Sequence, residues 1–309
     1  MLKPLNNKVF YIAGPTGVGK SAFAIELALR LGGTVIGADA FQIYHGLPLL
    51  TAQPTQEQQT IVPHHLIGAI PVTETCDVFR YRTMALACIA EATERHQQPL
   101  VTGGTGLYFR SLITPFDPLP GADLALRAEL ALLSHEEVIA RLAALDPEAP
   151  ARIDLKNRRR VERVLEIITQ TKLPLAQTWY QEKKIADNTG FLLVRDREEL
   201  HQRIEHNVQT MFDRGVVEEV AALDSLSISP TASMTLGLRD LQAYHRGEQS
   251  LAQTQEAIIQ ATKHYAKRQL TWFRNQHTFH PLNLSDFSST AAAVDAALAL
   301  LNNKAIPSC

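Results

Sequence analysis

The chain has 309 residues, 45% of them hydrophobic and 20% charged, enough to bury a full core and to carry an insertion beside the main domain. A formal net charge of -2 argues against a general polyanion binder, although a local basic patch can hide inside a neutral sum. No run approaches the ~20 apolar residues of a bilayer span, and Cys76, Cys88 and Cys309 are too scattered for a disulfide framework or a zinc site.

The hydrophobic pattern opens at once on an apolar strand, Val9 to Ala13. That leaves no apolar core for a signal peptide, so a soluble cytoplasmic enzyme is expected. GPTGVGKS, Gly14 to Ser21, follows directly. Gly14, Gly17 and Gly19 suit a loop whose consecutive N–H groups converge on an anion without a Cβ in the way. Lys20 supplies a mobile positive charge for phosphate oxygens, and the Ser21 hydroxyl is the ligand for a Mg²⁺ bridging them. An amphipathic helix from Lys20 to Leu31 adds the partial positive charge of its N-terminus. The loop specifies a polyphosphate or pyrophosphate and says nothing of whose.

A second strand, Thr34 to Gly37, runs into Asp39, which suits a Mg²⁺ ligand, a general base or a cap for the next segment. A helix from about Phe79 to His96 leads to a strand at Pro99 to Thr102. Then comes VTGGTGLYF, where Gly103, Gly104 and Gly106 let the backbone approach a ligand and set the Thr105 hydroxyl beside it. Between Thr114 and Thr189 the strands stop, and apolar residues recur at helical spacing in LALRAELALL, HEEVIARLAAL and RRVERVLEIIT. Strand and helix alternation resumes with Phe191 to Val194, a helix from about Glu198 to Leu223, a long helix from Leu251 to Arg274 and a weaker strand at Phe279 to Leu282. The order predicts an α/β fold, a P-loop NTPase-like parallel sheet flanked by helices, in segments 1–114 and 190–309. An all-helical insertion domain is expected at 115–189, entered through PFDPLPGAD and left through IADNTG.

Basic residues cluster twice. KNRRRVER holds Lys156, Arg158, Arg159, Arg160 and Arg163 against Glu162. Such a run is ordinarily a solvated helix face, with nucleic-acid binding as the alternative. KHYAKRQLTWFR sets Lys263, Lys267, Arg268 and Arg274 among Tyr265, Trp272 and Phe273, aromatic residues whose helical spacing suits a core.

Five stretches in fixed order carry a resemblance: GPTGVGKS, ADAFQIYHGL with TAQPT, VPHHLI, GGTGLYF and AKRQLTWFR, spanning nearly the whole chain to about Arg274. They resemble the tRNA dimethylallyltransferase (tRNA isopentenyltransferase) family. The resemblance implies transfer of a dimethylallyl group from dimethylallyl diphosphate to N6 of the adenine immediately 3′ of the tRNA anticodon, with Mg²⁺ as cofactor and diphosphate as leaving group. It implies a general base at Asp39, with Thr105 beside the reacting centre. Gly14, Thr16, Gly17, Gly19, Lys20, Ser21, Arg203 and Arg239 are implied at the diphosphate, and Ser21 at the metal. Gln42, Arg158, Arg159, Arg160, Arg163, Lys267 and Arg268 are implied against the tRNA anticodon stem-loop. A monomer without membrane contact is expected.

The chain departs from the family pattern at Ala40, Gln53, Asn207 and Leu238, which stand where the family has serine, lysine, arginine and tyrosine. The expectation is an active enzyme with relocated positive charge, Arg203 or Arg239 standing in for the arginine missing at 207. Three other readings share some of these features: an adenylate isopentenyltransferase acting on free nucleotide, a P-loop kinase or NTPase, and a non-catalytic RNA-binding paralogue.

Overall fold

Among the described residues eight strands appear in chain order: β1 (Phe10–Ala13), β2 (Gly33–Gly37), β3 (Tyr44–His45), β4 (His64–His65), β5 (Ile70–Pro71), β6 (Gln98–Gly103), β7 (Gly190–Val194) and β8 (His280–Asn283). Six of them form one parallel sheet in the order β4-β2-β6-β1-β7-β8, and β3 pairs with β5 separately. These coordinates, a computed structural model, describe residues 9–114, 119–178, 190–276 and 278–304. The chain divides into two compact units, Met1–Pro115 with Lys184–Cys309 in one and Phe116–Lys183 in the other.

In the larger unit, β1 and β2 are buried along their whole length and β7 along nearly all of it. Parallel strands covered on both faces read as continuous apolar runs, which is why these stand out in the sequence. Alternate residues of β1 enter opposite cores, as the period of two requires. Phe10 and Ile12 pack with Phe23 and Leu27 of the helix Lys20–Leu31, while Tyr11 and Ala13 pack with Phe109, Phe273 and Phe279. Register then fixes the loops: Ala13 lies opposite Gly103, and Gly37 opposite Thr102. The phosphate loop after β1, the Asp39 loop after β2 and the glycine loop after β6 therefore leave adjacent strands at the carboxyl edge of the sheet.

One expected helix is two. The stretch from Glu198 to Leu223 divides into Arg197–Asp213 and Val216–Ala221, because Gly215 adopts a φ of 91° that an α-helix cannot continue through. The long helix runs 26 residues, Leu251–Gln276. The last strand lies one residue later than its apolar run suggests, at His280–Asn283. No helix among the described residues is long and apolar enough to cross a membrane.

The smaller unit is built on the helices Leu124–Ala131, His135–Leu145, Arg158–Thr171 and Leu175–Thr178, with no strand among its described residues. Each of the first three starts on a capping side chain, Asp123, Ser134 or Asn157. Leu130, Val138, Leu142, Val161 and Leu165 fill its core. Glu166 is buried there and accepts the Asp123 amide at 2.6 Å and two bonds at 3.0 Å from Arg127. Burial pushes the Glu166 carboxyl up, but the bonds from Arg127, Arg163 and the Asp123 amide outweigh it and hold the group below its usual value.

Candidate active site

The phosphate loop takes its shape from two glycines in the left-handed region, Gly17 at φ 79° and Gly19 at φ 109°. Lys20 folds back over it and donates Nζ to the Pro15 carbonyl at 2.8 Å. The residue keeps part of its surface open to solvent, yet its ammonium is enclosed by the loop. Burial lowers the Lys20 pKa from 10.5 to about 8, with the Asp39 carboxylate pulling it back up. A bound anion would oppose that burial and hold the cation.

Asp39 closes a turn rather than opening a helix. Its Oδ1 accepts the amides of Phe41 at 3.0 Å and Gln42 at 3.4 Å, so the turn makes no demand on the second carboxylate oxygen. Thr105 precedes the helix Gly106–Ile113 but gives that helix no side-chain cap. Its hydroxyl instead accepts the Ala40 amide at 2.9 Å, and its own amide donates to the Ala38 carbonyl at 3.1 Å. Asp39 is thereby held from both sides by the glycine loop.

Gln269, which sequence reasoning passed over, ties the site together. Its Oε1 accepts the Thr16 amide at 2.9 Å and its Nε2 donates to the Gly104 carbonyl at 3.0 Å. The side chain is 5% exposed, so it reaches these two loops through packed surroundings. A polar residue four places before Phe273 on an otherwise apolar stripe was the available signal.

A cavity of about 300 Å³ opens between the loops, lined by Thr16, Gly17, Gly19, Lys20, Ser21, Asp39, Gln42, Arg203, Asn207 and Tyr265 among others. Arg203 donates Nε to the Gly17 carbonyl at 3.0 Å. Arg195 donates Nε to the Val18 carbonyl at 2.8 Å and is paired with Glu199, so a second guanidinium, unforeseen in the sequence, braces the same loop. A Cβ on Gly19 would lie 3.7 Å from Arg195 Nη2 and 3.9 Å from Arg203 Nη2. Arg239 is not brought to this cavity: it is exposed on the helix Leu238–His245 and absent from the lining residues. Gly14 lies beneath the loop, where a Cβ would sit 2.8 Å from the Leu193 carbonyl oxygen.

The donor set suits a hard cation. The Ser21 hydroxyl and the Asp39 carboxylate line one cavity, and Mg²⁺ takes oxygen donors, usually one or two from protein with the rest from phosphate and water.

The residues expected at RNA are arranged unequally. In the smaller unit, Arg158 pairs with Glu162 at 2.7 Å and donates to the Leu130 and Leu133 carbonyls at 2.8 and 2.9 Å. Arg163 is bonded to Glu166 and to the Pro120 carbonyl. Both guanidinium groups hold that unit together, whereas Arg159 is exposed and Arg160 half-buried. In the larger unit, Lys267 and Arg268 are exposed and line a groove of about 510 Å³ with His264, Thr271 and Trp272. Gln42 spends its side-chain amide on the Thr51 and Ala52 carbonyls at 3.0 and 2.9 Å. Gln53, one of the departures, donates to the Gln42 and Tyr44 carbonyls at 3.0 and 2.9 Å and so staples the Asp39 loop. Leu238, another, is buried in the core.

Residues 42–276 match the family model described as IPP transferase, and residues 7–62 match that described as isopentenyl transferase. A tRNA dimethylallyltransferase of Akkermansia muciniphila is 40% identical over 288 residues, covering 92% of this chain and 96% of that protein. One of Caulobacter sp. strain K31 is 40% identical over 281 residues, covering 88% and 91%. The crystal structure of the full-length tRNA isopentenylpyrophosphate transferase of Bacillus halodurans superimposes with a TM-score of 0.68 at 30% identity, covering 97% of this chain and 98% of that one.

Proposed function

The chain belongs to the IPP transferase family, the tRNA dimethylallyltransferases, and from that we propose that it transfers the dimethylallyl group of dimethylallyl diphosphate to N6 of the adenine immediately 3′ of the anticodon in tRNA. The observation that carries the reading is that a carboxylate, Asp39, and two cations, Lys20 and Arg203, line one cavity of about 300 Å³ above the phosphate loop.

The reaction needs an electron sink at one end and a proton acceptor at the other. As the allylic C1–O bond breaks, its electron pair goes to the diphosphate, and the loop amides, Lys20 and Arg203 stabilise that charge as it develops. N6 of adenine forms the new bond to C1. Its lone pair is delocalised into the ring, which makes it a poor nucleophile until a proton leaves, and Asp39 takes that proton. Thr105, bonded to the Ala40 amide, keeps the Asp39 turn in place. Ser21 would hold Mg²⁺, which supplies neutralisation of the leaving diphosphate when bound.

A base inside a stacked anticodon loop cannot reach such a cavity, so it must be turned out. Exposed Lys267 and Arg268 in the larger unit, and Arg159 in the smaller, offer charge for the stem-loop phosphates.

Transfer of label from dimethylallyl diphosphate to tRNA tests the reading, with and without Mg²⁺, in the wild type and in Asp39→Ala. Incorporation that needs Mg²⁺ and falls by orders of magnitude in the variant is expected. A wild type that prenylates free adenine nucleotides but not tRNA, or that turns over ATP instead, overturns it.

A further inference from the structure

Tyr265 is a polar group of the cavity that the chemistry above leaves unused. It stands one turn before Gln269 on the helix Leu251–Gln276 and lines the cavity together with Asp39. Its ring is fixed by two neighbours. The Phe41 ring lies 5.7 Å away at 41°, and the Arg268 guanidinium carbon lies 5.6 Å from the Tyr265 ring centroid. The ring cannot swing without losing both contacts.

The Thr105 and Gln269 side chains lie beside the Tyr265 oxygen. Both can donate to it. Thr105 Oγ1 accepts the Ala40 amide at 2.9 Å and keeps its hydrogen to give. Gln269 Oε1 accepts the Thr16 amide, and Nε2 gives one hydrogen to the Gly104 carbonyl and has a second to offer. When both donate, the phenol hydrogen is left for a ligand in the cavity. Burial, and then the Asp39 carboxylate, push the hydroxyl above its ordinary value, so it stays protonated and serves as a donor rather than an acid.

Resting on the function proposed above, we infer that the Tyr265 hydroxyl donates to a ring nitrogen of the target adenine while Asp39 accepts its exocyclic amine, so that the two residues read the base. Adenine presents its N6 donor flanked by the ring acceptors N1 and N7, which an acceptor and a donor on one cavity wall complement. Guanine presents O6 at the same place, an acceptor set against the Asp39 carboxylate. Tyr265 is thus a specificity residue that touches the acceptor base and leaves the diphosphate alone.

The test combines Tyr265→Phe, which keeps the ring and removes only the hydroxyl, with anticodon stem-loops carrying adenosine, 1-deazaadenosine or 7-deazaadenosine at the target position. The wild type should lose about tenfold in kcat/KM on one deaza substrate, the worth of a neutral hydrogen bond. Tyr265→Phe should lose about as much on adenosine, lose nothing more on that deaza substrate, and keep its KM for dimethylallyl diphosphate. Penalties that multiply, a loss equal on all three bases, or a variant as active as the wild type overturn the inference. The wild-type comparison requires no variant to fold, and indifference to both deaza bases overturns it as well. A wild type inactive on the adenosine stem-loop defeats the proposed function instead.

Discussion

The side-chain oxygen of Gln269 accepts the backbone N–H of Thr16 at 2.9 Å across 253 positions of sequence, so the phosphate loop is braced by the helix Leu251–Gln276. Gln269→Leu fits the space but strands the Thr16 amide and the Gly104 carbonyl in a buried setting. Each orphaned group costs about 1–3 kcal/mol, so stability should fall by about 2–6 kcal/mol. Gln269→Glu keeps the acceptor and sets a negative oxygen against the Gly104 carbonyl, so it should be as damaging to activity. Thermal unfolding together with kcat/KM for dimethylallyl diphosphate measures both effects. A glutamate variant with wild-type values would show that the bridge is dispensable.

Lys20 gives the reaction a pH dependence of definite sign. Its value in the folded protein is about 8, below the ordinary 10.5, because burial disfavours the cation. Below pH ~8 the ammonium is charged before and after the diphosphate binds; above it, binding must take up a proton. The KM for dimethylallyl diphosphate should therefore rise as pH increases beyond about 8, by up to about tenfold per unit. Lys20→Met should bind weakly at all pH and show a flat profile there. Equal slopes in both proteins would assign the effect to another group. Without ligand, the unfolded chain binds more protons between about 8 and 10.5, so folding stability should increase through that window.

Arg203 and Arg239 make a matched pair for testing where the positive charge acts. Arg203 lines the cavity and holds the Gly17 carbonyl at 3.0 Å, whereas Arg239 is exposed and away from it. Arg203→Ala should raise the KM for dimethylallyl diphosphate by about tenfold or more, the loss of a charge-assisted contact. Arg239→Ala should leave it unchanged. Titration of each variant with the diphosphate substrate, without tRNA, separates this from any effect on RNA. The reverse order of effects would move the diphosphate site away from the cavity.

Local chemistry made the phosphate loop, Asp39 and the glycine loop legible, because each is a strand followed by residues whose backbone or side-chain needs are peculiar to that turn. β1, β2, β6 and β7 were legible because burial on both faces leaves a largely apolar run, whereas the half-exposed β8 showed only weakly. β4 was not legible, since two residues, His64 and His65, carry no period. Periodicity also ran straight through Gly215, where the apolar stripe continues past a broken helix. The arginines of the smaller unit show what a charge count omits. Five basic residues in eight predict a patch, but partners distant in sequence decide its use. Glu166 and the carbonyls of Pro120, Leu130 and Leu133 draw Arg163 and Arg158 inward. Gln269 was hidden for the same reason.

Gly103 and Gly104 predict two different failures from the same methyl group. A Cβ on Gly103 would lie 2.1 Å from the Ala38 carbonyl oxygen and 2.3 Å from its carbon, backbone atoms that cannot turn aside. Relief requires separating the ends of β2 and β6, which breaks the bond from the Ala38 amide to the Thr102 carbonyl at 2.7 Å and displaces the Asp39 turn. Gly103→Ala should thus cost about 3 kcal/mol or more, at the upper end of overpacking, and abolish transfer. A Cβ on Gly104 meets Gln269 Nε2 at 2.1 Å, the end of a side chain that can withdraw by giving up its bond to the Gly104 carbonyl. Gly104→Ala should therefore cost less stability while still lowering kcat through the loosened phosphate loop. Gly121→Ala is the control: nothing lies within 4 Å of its Cβ position, and a change within about 0.5 kcal/mol is expected. Chemical denaturation of the three variants, read beside their transfer rates, orders them, and a Gly103→Ala protein as stable as Gly121→Ala would mean that β2 and β6 can part without loss.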